Sequence, residues 1–263
     1  MKRSSRARMG AAATVSVLSL ALITGCGGGS DDDSKESGAS TEAGAFSSPS
    51  TNTAAKALGA AELKKLFLAK GELAGYEVDT ADDGTMPKSK GGVKTDKTEC
   101  APLAHAMAGL APGDTDASAS YTVTKTPTAT ASPDDASLED ALDVEITFVG
   151  LSSYDGDGAE KAVKSVSDAV AACSGGFTIT AQGEKQKVTK VASVKASGKG
   201  DESVGFAVAS DMDGEGTATI NTEVVRVGNA VSSYYTVNFA SFDSGKAAPV
   251  PAAVIDAQLT KLK

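Results

Sequence analysis

Three cysteines, one histidine and a few alternating carboxylates are the side chains here whose types and spacing could do chemistry. Cys26 closes the run Leu22-Ile23-Thr24-Gly25-Cys26, behind a basic start and an apolar stretch. Small residues at Thr24 and Gly25 would let a peptidase reach the bond before it, and the freed thiol-bearing residue could carry a diacylglycerol. Each buried lipid methylene contributes about 0.8 kcal/mol, and two acyl chains suffice for stable anchoring. The plainer reading is a thiol beside the cleavage site of an ordinary secreted chain. With Cys26 acylated, Cys100 and Cys173 are the arithmetic of a single disulfide, and two separate buried thiols are the alternative. His105, in LAHAMAG, is expected to pack at a helix surface rather than to catalyse or bind a metal. Asp155, Asp157, Asp211, Asp213 and Glu215 alternate as calcium ligands do, but without the full EF-hand order, so turns are expected there. A Ser-His-Asp set can be assembled on paper, yet no GxSxG motif stands behind it. Arg226 lies within an apolar strand; the solvated face is the expected place for it, a cleft the alternative. No cofactor, metal or catalytic set is expected.

Lys2, Arg3, Arg6 and Arg8 precede an apolar run over 11–23. About 13 residues are too few to span a bilayer core of ~30 Å as a helix. This plan resembles a bacterial lipoprotein signal peptide ending in a lipobox. After Cys26 come Gly27 to Ser30, three aspartates and a Ser/Gly/Thr/Ala-rich stretch to Lys56, with no periodic apolar pattern. Such a segment buries too little surface to offset the entropy of ordering. As a flexible tether of about 30 residues it reaches on the order of 30 Å. Tethers of this composition resemble those of lipoproteins from high-GC Gram-positive bacteria. The expected division is a leader over 1–25, a disordered tether over 26–56 and one folded domain over 57–263. The expected place is the outer face of the plasma membrane, held by the lipid on Cys26.

The chain has 25 basic and 34 acidic residues, a formal charge of -9. Loss of the leader removes four cations and no acid, which takes the remainder to about −13. That balance argues against nucleic acid and against an electrostatic grip on anionic lipid. Aromatic residues make up 5% and Trp is absent, so Ala, Val and Leu must fill the core.

The elements that position these residues follow from periodicity. Leu63, Leu66, Phe67 and Leu73 predict a helix over 60–73, and Tyr76 to Asp79 a short strand. Residues 82–98 read as a loop. Pro102 and Gly109 bracket a second helix that Cys100 would begin. Strands are predicted through Tyr121 and Val123, and over 142–151, where Leu142, Val144, Ile146 and Phe148 form the apolar set. A helix over 159–173 presents Ala162, Val163, Val166, Ala169, Val170 and Cys173. Strands over 177–181, 187–195, 204–210, 217–227 and 230–240 follow, with Gly228-Asn229 as a tight hairpin turn. A last helix over 249–262 lines up Val254, Ile255, Gln258, Leu259 and Leu262. This order predicts an α+β fold: a mostly antiparallel sheet with helices packed on one face and one disulfide.

The succession AELKKLFLAKGELAGYEV, CAPLAHAM, DAVAACSGGFT, GDESVGF, VVRVGNAV and AAVIDAQLTKLK resembles the extracellular sensor-like domains of PknH-type actinobacterial Ser/Thr kinases, and more closely the free-standing lipoproteins related to them. The resemblance runs from about Ala60 to Lys263. It implies an antiparallel sheet with helices around a cleft, and a ligand-binding or sensing role. The kinase-linked domains tend to carry two disulfides; this chain can form one. No kinase segment is present, so a signal would pass to another protein. The leading expectation is a non-catalytic cell-surface binding or sensor-like lipoprotein for a small-molecule or cell-envelope ligand. A lipid or hydrophobe carrier is the alternative, and a hydrolase comes third.

Overall fold

The computed structural model describes residues 56–80, 84–126, 143–212, 216–241 and 246–263. Nine strands form one sheet in the order β1-β3-β4-β9-β8-β7-β6-β5-β2. They are β1 (Tyr76–Asp79), β2 (Val93–Thr95), β3 (Ser118–Lys125), β4 (Glu145–Ser153), β5 (Phe177–Ala181), β6 (Glu184–Val194), β7 (Glu202–Asp211), β8 (Thr217–Val227) and β9 (Ala230–Asn238). Every pairing is antiparallel. Among the described residues four α-helices accompany them: α1 (Ala60–Leu63), α2 (Ala101–Met107), α3 (Gly158–Ala172) and α4 (Ala252–Lys261). The α+β class and the antiparallel sheet are as the sequence predicts.

The helices divide between the two faces, where one face was expected. The register explains it. Val224 and Val225 are neighbours on β8, so they point to opposite sides. Val224 joins Phe206, Val208 and Val231 in a core with α2 and α3. Val225 joins Tyr121, Val149, Leu151 and Tyr234 in a second core with Leu63 of α1 and Val254 and Ile255 of α4. The pattern on β4 is therefore double. Val149 and Leu151 enter the α1/α4 core. Ile146 and Phe148, part of the apolar set read from the sequence, alternate with them and are only half-buried.

Local chemistry accounts for most element ends. Gly228 takes φ 59° between Val227 and Ala230 while Asn229 does not, the pattern of a type II′ hairpin turn. Gln182 and Gly183 join β5 to β6 with φ of 53° and 87°, the type I′ pattern. Gly109 ends the α2 turn at φ 63°. The first helix is shorter than predicted. It continues only as a 3₁₀ turn over Lys64–Leu66, and Phe67 is already extended. Phe67 and Leu68, in the extended segment that follows, are both buried. The predicted loop over 82–98 holds β2, an edge strand too short to show alternation.

The Cys100–Cys173 disulfide forms, with Cα atoms 5.9 Å apart. It joins the turn before α2 to the residue that caps α3. On the other face, Gln258 of α4 is fully buried and satisfied: Tyr121 donates to its Oε1 at 2.5 Å, and its Nε2 donates to the Leu66 carbonyl at 3.0 Å. None of the described helices is long and apolar enough to cross a membrane.

Candidate functional site

Helices α2 and α3 cover only part of their sheet face. Beyond α2 the face carries Ile220 on β8 and Tyr235 on β9, and a cleft of about 340 Å³ opens over them. Val93, Met107 and Ile179 wall it; Glu184 and Gln186 stand at its edge. The segment Thr85–Pro87 crosses its mouth and also borders a smaller, hydroxyl-lined recess of about 180 Å³ over Ser118, Ser120 and Thr122. The site thus pairs an apolar chamber with a polar one, and the crossing segment separates them.

Gln182 and Tyr235 help to hold that segment. Gln182 Nε2 donates to the carbonyls of Gly84 at 3.3 Å and Thr85 at 3.2 Å. Tyr235 O–H donates to Met86 Sδ at 3.7 Å. A Cβ on Gly109 would stand 2.9 Å from Met86 Cε, so the bare glycine makes room for the methionine. Tyr235 is fixed from behind by Phe148, whose ring stacks on it at 4.5 Å and 4°. Burial pushes the Tyr235 phenol well above its ordinary range, so it serves as a neutral hydrogen-bond donor. Chemically the cleft offers apolar walls, one aromatic hydroxyl, a thioether and amide groups. That set can bind and orient a small molecule.

Gln182 and Met86 had no place in the sequence reading. A two-residue Gln-Gly between Ala181 and Glu184 is the signal that could have marked the hairpin. Nothing local marks the reach of Gln182 across about a hundred residues to Gly84. We expect Gln182→Ala to leave global stability within about 1 kcal/mol, because it removes only exposed neutral hydrogen bonds. Amide exchange over 84–88 should rise severalfold; unchanged exchange there would show that Gln182 does not hold the segment.

The residues picked out in the sequence fall elsewhere. His105 does not line the cleft, although Ala104, Met107 and Ala108 on the same helix do. It is half-buried, and burial, then the charge of Lys90, lowers its pKa. No described side chain hydrogen-bonds to it. A folded-state value below the ordinary 6.5 means that the unfolded chain takes the proton first. The stability this neutral ring contributes is present above 6.5 and is lost as pH falls from there through the lower folded value. The melting temperature should therefore drop over that window, and His105→Gln should flatten the drop. A drop of the same size in the variant would remove His105 as its cause.

Arg226 sits in neither expected place. Its side chain is 16% exposed, against Asp201 at 3.4 Å, Glu202 at 3.5 Å and Glu160 at 3.9 Å. Asp201 also accepts the Gly228 N–H at 2.7 Å, so this corner fastens the start of β7 to the β8–β9 hairpin. Asp155 accepts the Ala57 N–H at 2.7 Å, and Asp157 pairs with Lys161 at 2.8 Å. Among the described residues no cluster of three or more His, Cys, Asp or Glu could hold a metal. Asp213, Glu215 and Cys26 lie outside the described residues.

No protein-family model matches the chain, and no curated protein does. Among solved structures it is similar to the crystal structure of the extracellular domain of PknH from Mycobacterium tuberculosis, at 12% identity and a TM-score of 0.37, over 78% of this chain and 90% of that one.

Proposed function

We propose that this chain is a cell-surface lipoprotein whose folded domain binds a small ligand without transforming it. Cys26 carries the lipid, residues 26–56 form the tether, and the cleft over Ile220 and Tyr235 receives the ligand. The observation that carries the binding role is the cleft itself: apolar walls, one neutral phenol and a bridging segment pinned at Gln182 and Met86. Its volume of about 340 Å³ falls at the low end of the range for small-molecule pockets, roughly 300–1,000 Å³. A hydrophobe carrier is supported by the same apolar walls, but a two-chain lipid would need the Thr85–Pro87 segment to lift away.

The chain enters the fold where Asn229 donates to the Lys56 carbonyl and Ser153 accepts the Leu58 N–H. Tyr235 stands five residues along β9 from Ala230, about 17 Å farther on. The tether's attachment at Lys56 thus lies about 17 Å from the cleft.

A screen of thermal stability against cell-envelope metabolites tests the binding role. A ligand at 100 times its Kd adds about 2.7 kcal/mol. Tyr235→Leu should abolish the shift while the unliganded fold survives. A stabilising ligand that acts equally on Tyr235→Leu would place the site elsewhere, and turnover of that ligand by the purified protein would overturn the non-catalytic reading. Cys26→Ser tests the anchor: the protein should leave the membrane fraction or persist as an uncleaved precursor. A processed Cys26→Ser protein that stays with the membrane would refute lipidation there.

A further inference from the structure

We infer that the chain has a second binding site, on the sheet face opposite the cleft, built on the buried carboxylate of Glu223 and suited to a free α-amino acid with an apolar side chain. A cavity of about 360 Å³ lies between β7, β8, the β6–β7 connection and the start of α4. Glu223 lines it and is only 6% exposed. Its Oε1 accepts two hydrogen bonds from Ser197, one from the backbone N–H at 2.9 Å and one from the hydroxyl. Its Oε2 accepts none. That oxygen keeps contact with the open cavity rather than being sealed in the core, so a ligand's donor can reach it and supply the missing hydrogen bond.

The surroundings define that ligand. Directly across the strand from Glu223 stands Gly205, where a Cβ would lie 2.9 Å from the Val194 carbonyl oxygen, so the bare glycine lets the β6–β7 connection close over the cavity. Asn221 Nδ2 donates to the Ala248 carbonyl at 3.0 Å and holds the segment before α4 as the opposite wall. Val194, Val250 and Ile255 supply apolar lining. Positive potential stands at other points of the same cavity. Lys195 lines it and makes no ion pair among the described residues, whereas Lys199 is paired with Asp256. The first turn of α4 also reaches the cavity at Ala252, and its N-cap, Pro251, offers no side-chain acceptor to the open N–H groups. An anionic acceptor, apolar walls and a positive rim complement a zwitterion: ammonium on Glu223, carboxylate at Lys195 and the helix end, side chain against Val194 and Ile255. A plain cation would meet the Lys195 charge, and a plain carboxylate would meet Glu223.

The test is an NMR titration of the purified full chain with L-leucine, with isopentylamine and isovalerate as its two halves. Leucine should shift the amides of Ser197, Gly205, Glu223 and Ala252 saturably, and each half should bind at least about tenfold more weakly. Glu223→Gln keeps the shape and an acceptor for Ser197; it should weaken leucine binding by about tenfold or more, the fold-change of one lost charged hydrogen bond. Lys195→Met lies at the exposed rim, where the fold does not depend on it. It should weaken leucine and isovalerate and, by removing a like charge, bind isopentylamine no more weakly than the parent. Absence of saturable shifts around the cavity would overturn the site, as would leucine binding unaffected by both substitutions. Shifts confined to Met107, Ile220 and Tyr235 would overturn it while supporting the cleft, so the two sites succeed or fail separately.

Discussion

Replacing Cys100 and Cys173 together by alanine should lower the stability of the folded domain by about 4 kcal/mol, the chain-entropy value for a loop of this length. The two residues are 73 positions apart, so the bridge denies the unfolded chain a large set of conformations. Both are fully buried, at the start of α2 and the end of α3. At roughly 2–4 °C per kcal/mol for a domain of this size, the melting temperature should fall by on the order of 10 °C. Urea denaturation of the double variant checks the number, and the reduced wild-type protein should unfold at a similar midpoint. A double variant within about 1 kcal/mol of the parent would refute the argument. The effect should extend to the cleft, because α2 supplies Ala104, Met107 and Ala108 to its wall. Ligands that stabilise the parent should therefore bind the double variant more weakly.

Periodicity made part of this fold legible. The buried stripe of α3 is Ala162, Val163, Val166, Ala169 and Val170, as its 3.6-residue spacing predicts, and α4 buries Val254, Ile255, Gln258 and Leu259 in the same way. Strands β5, β7, β8 and β9 fall within a few residues of their predicted places. The sidedness of the helices was not legible. Period-2 alternation identifies one buried face, but β8 buries Thr222, Glu223, Val224 and Val225 in succession. Such a run belongs to a sheet covered on both sides, and the sequence reading treated it as covered on one.

Function was less legible than fold for a related reason. Of the residues with conspicuous chemistry, Arg226, Asp155 and Asp157 are held in ion pairs and hydrogen bonds, and His105 lies outside the cleft lining. Those that shape the two cavities are chemically modest: Met86, Gln182, Ile220, Tyr235, Ser197. Their importance comes from contacts across the sheet and between loops remote in sequence. Glu223 shows the difficulty best. In the string TEVVRV it reads as the polar member of an alternating strand, and only the fold of the β6–β7 connection over it turns an outward carboxylate into a buried one.

Gly150→Val should be the most damaging single substitution beside the cleft. An ideal Cβ at Gly150 would lie 2.6 Å from Gly109 Cα and 2.6 Å from the Gly109 carbonyl oxygen. These are backbone atoms, so no change of rotamer relieves the contact. The end of α2 must lift from β4, and the wall formed by Met107 and Ala108 must lift with it. Forced overpacking costs roughly 1–3 kcal/mol for small additions, and two further methyl groups place valine at or beyond the top of that range. Gly109 offers the contrast. Gly109→Ala would meet Met86 Cε at 2.9 Å, the flexible tip of a side chain, together with Ser120 Cβ at 3.0 Å and the strain of φ 63°. It should cost roughly 1–2 kcal/mol from its left-handed backbone and displace Met86 from Tyr235. The pair thus separates two roles. Gly150→Val should lower the urea midpoint most, whereas Gly109→Ala should mainly raise amide exchange over 84–88 and weaken binding in the cleft. If Gly150→Val denatures at the parental midpoint, the close approach of the end of α2 to β4 does not exist in solution, and the cleft loses the wall formed by Met107 and Ala108.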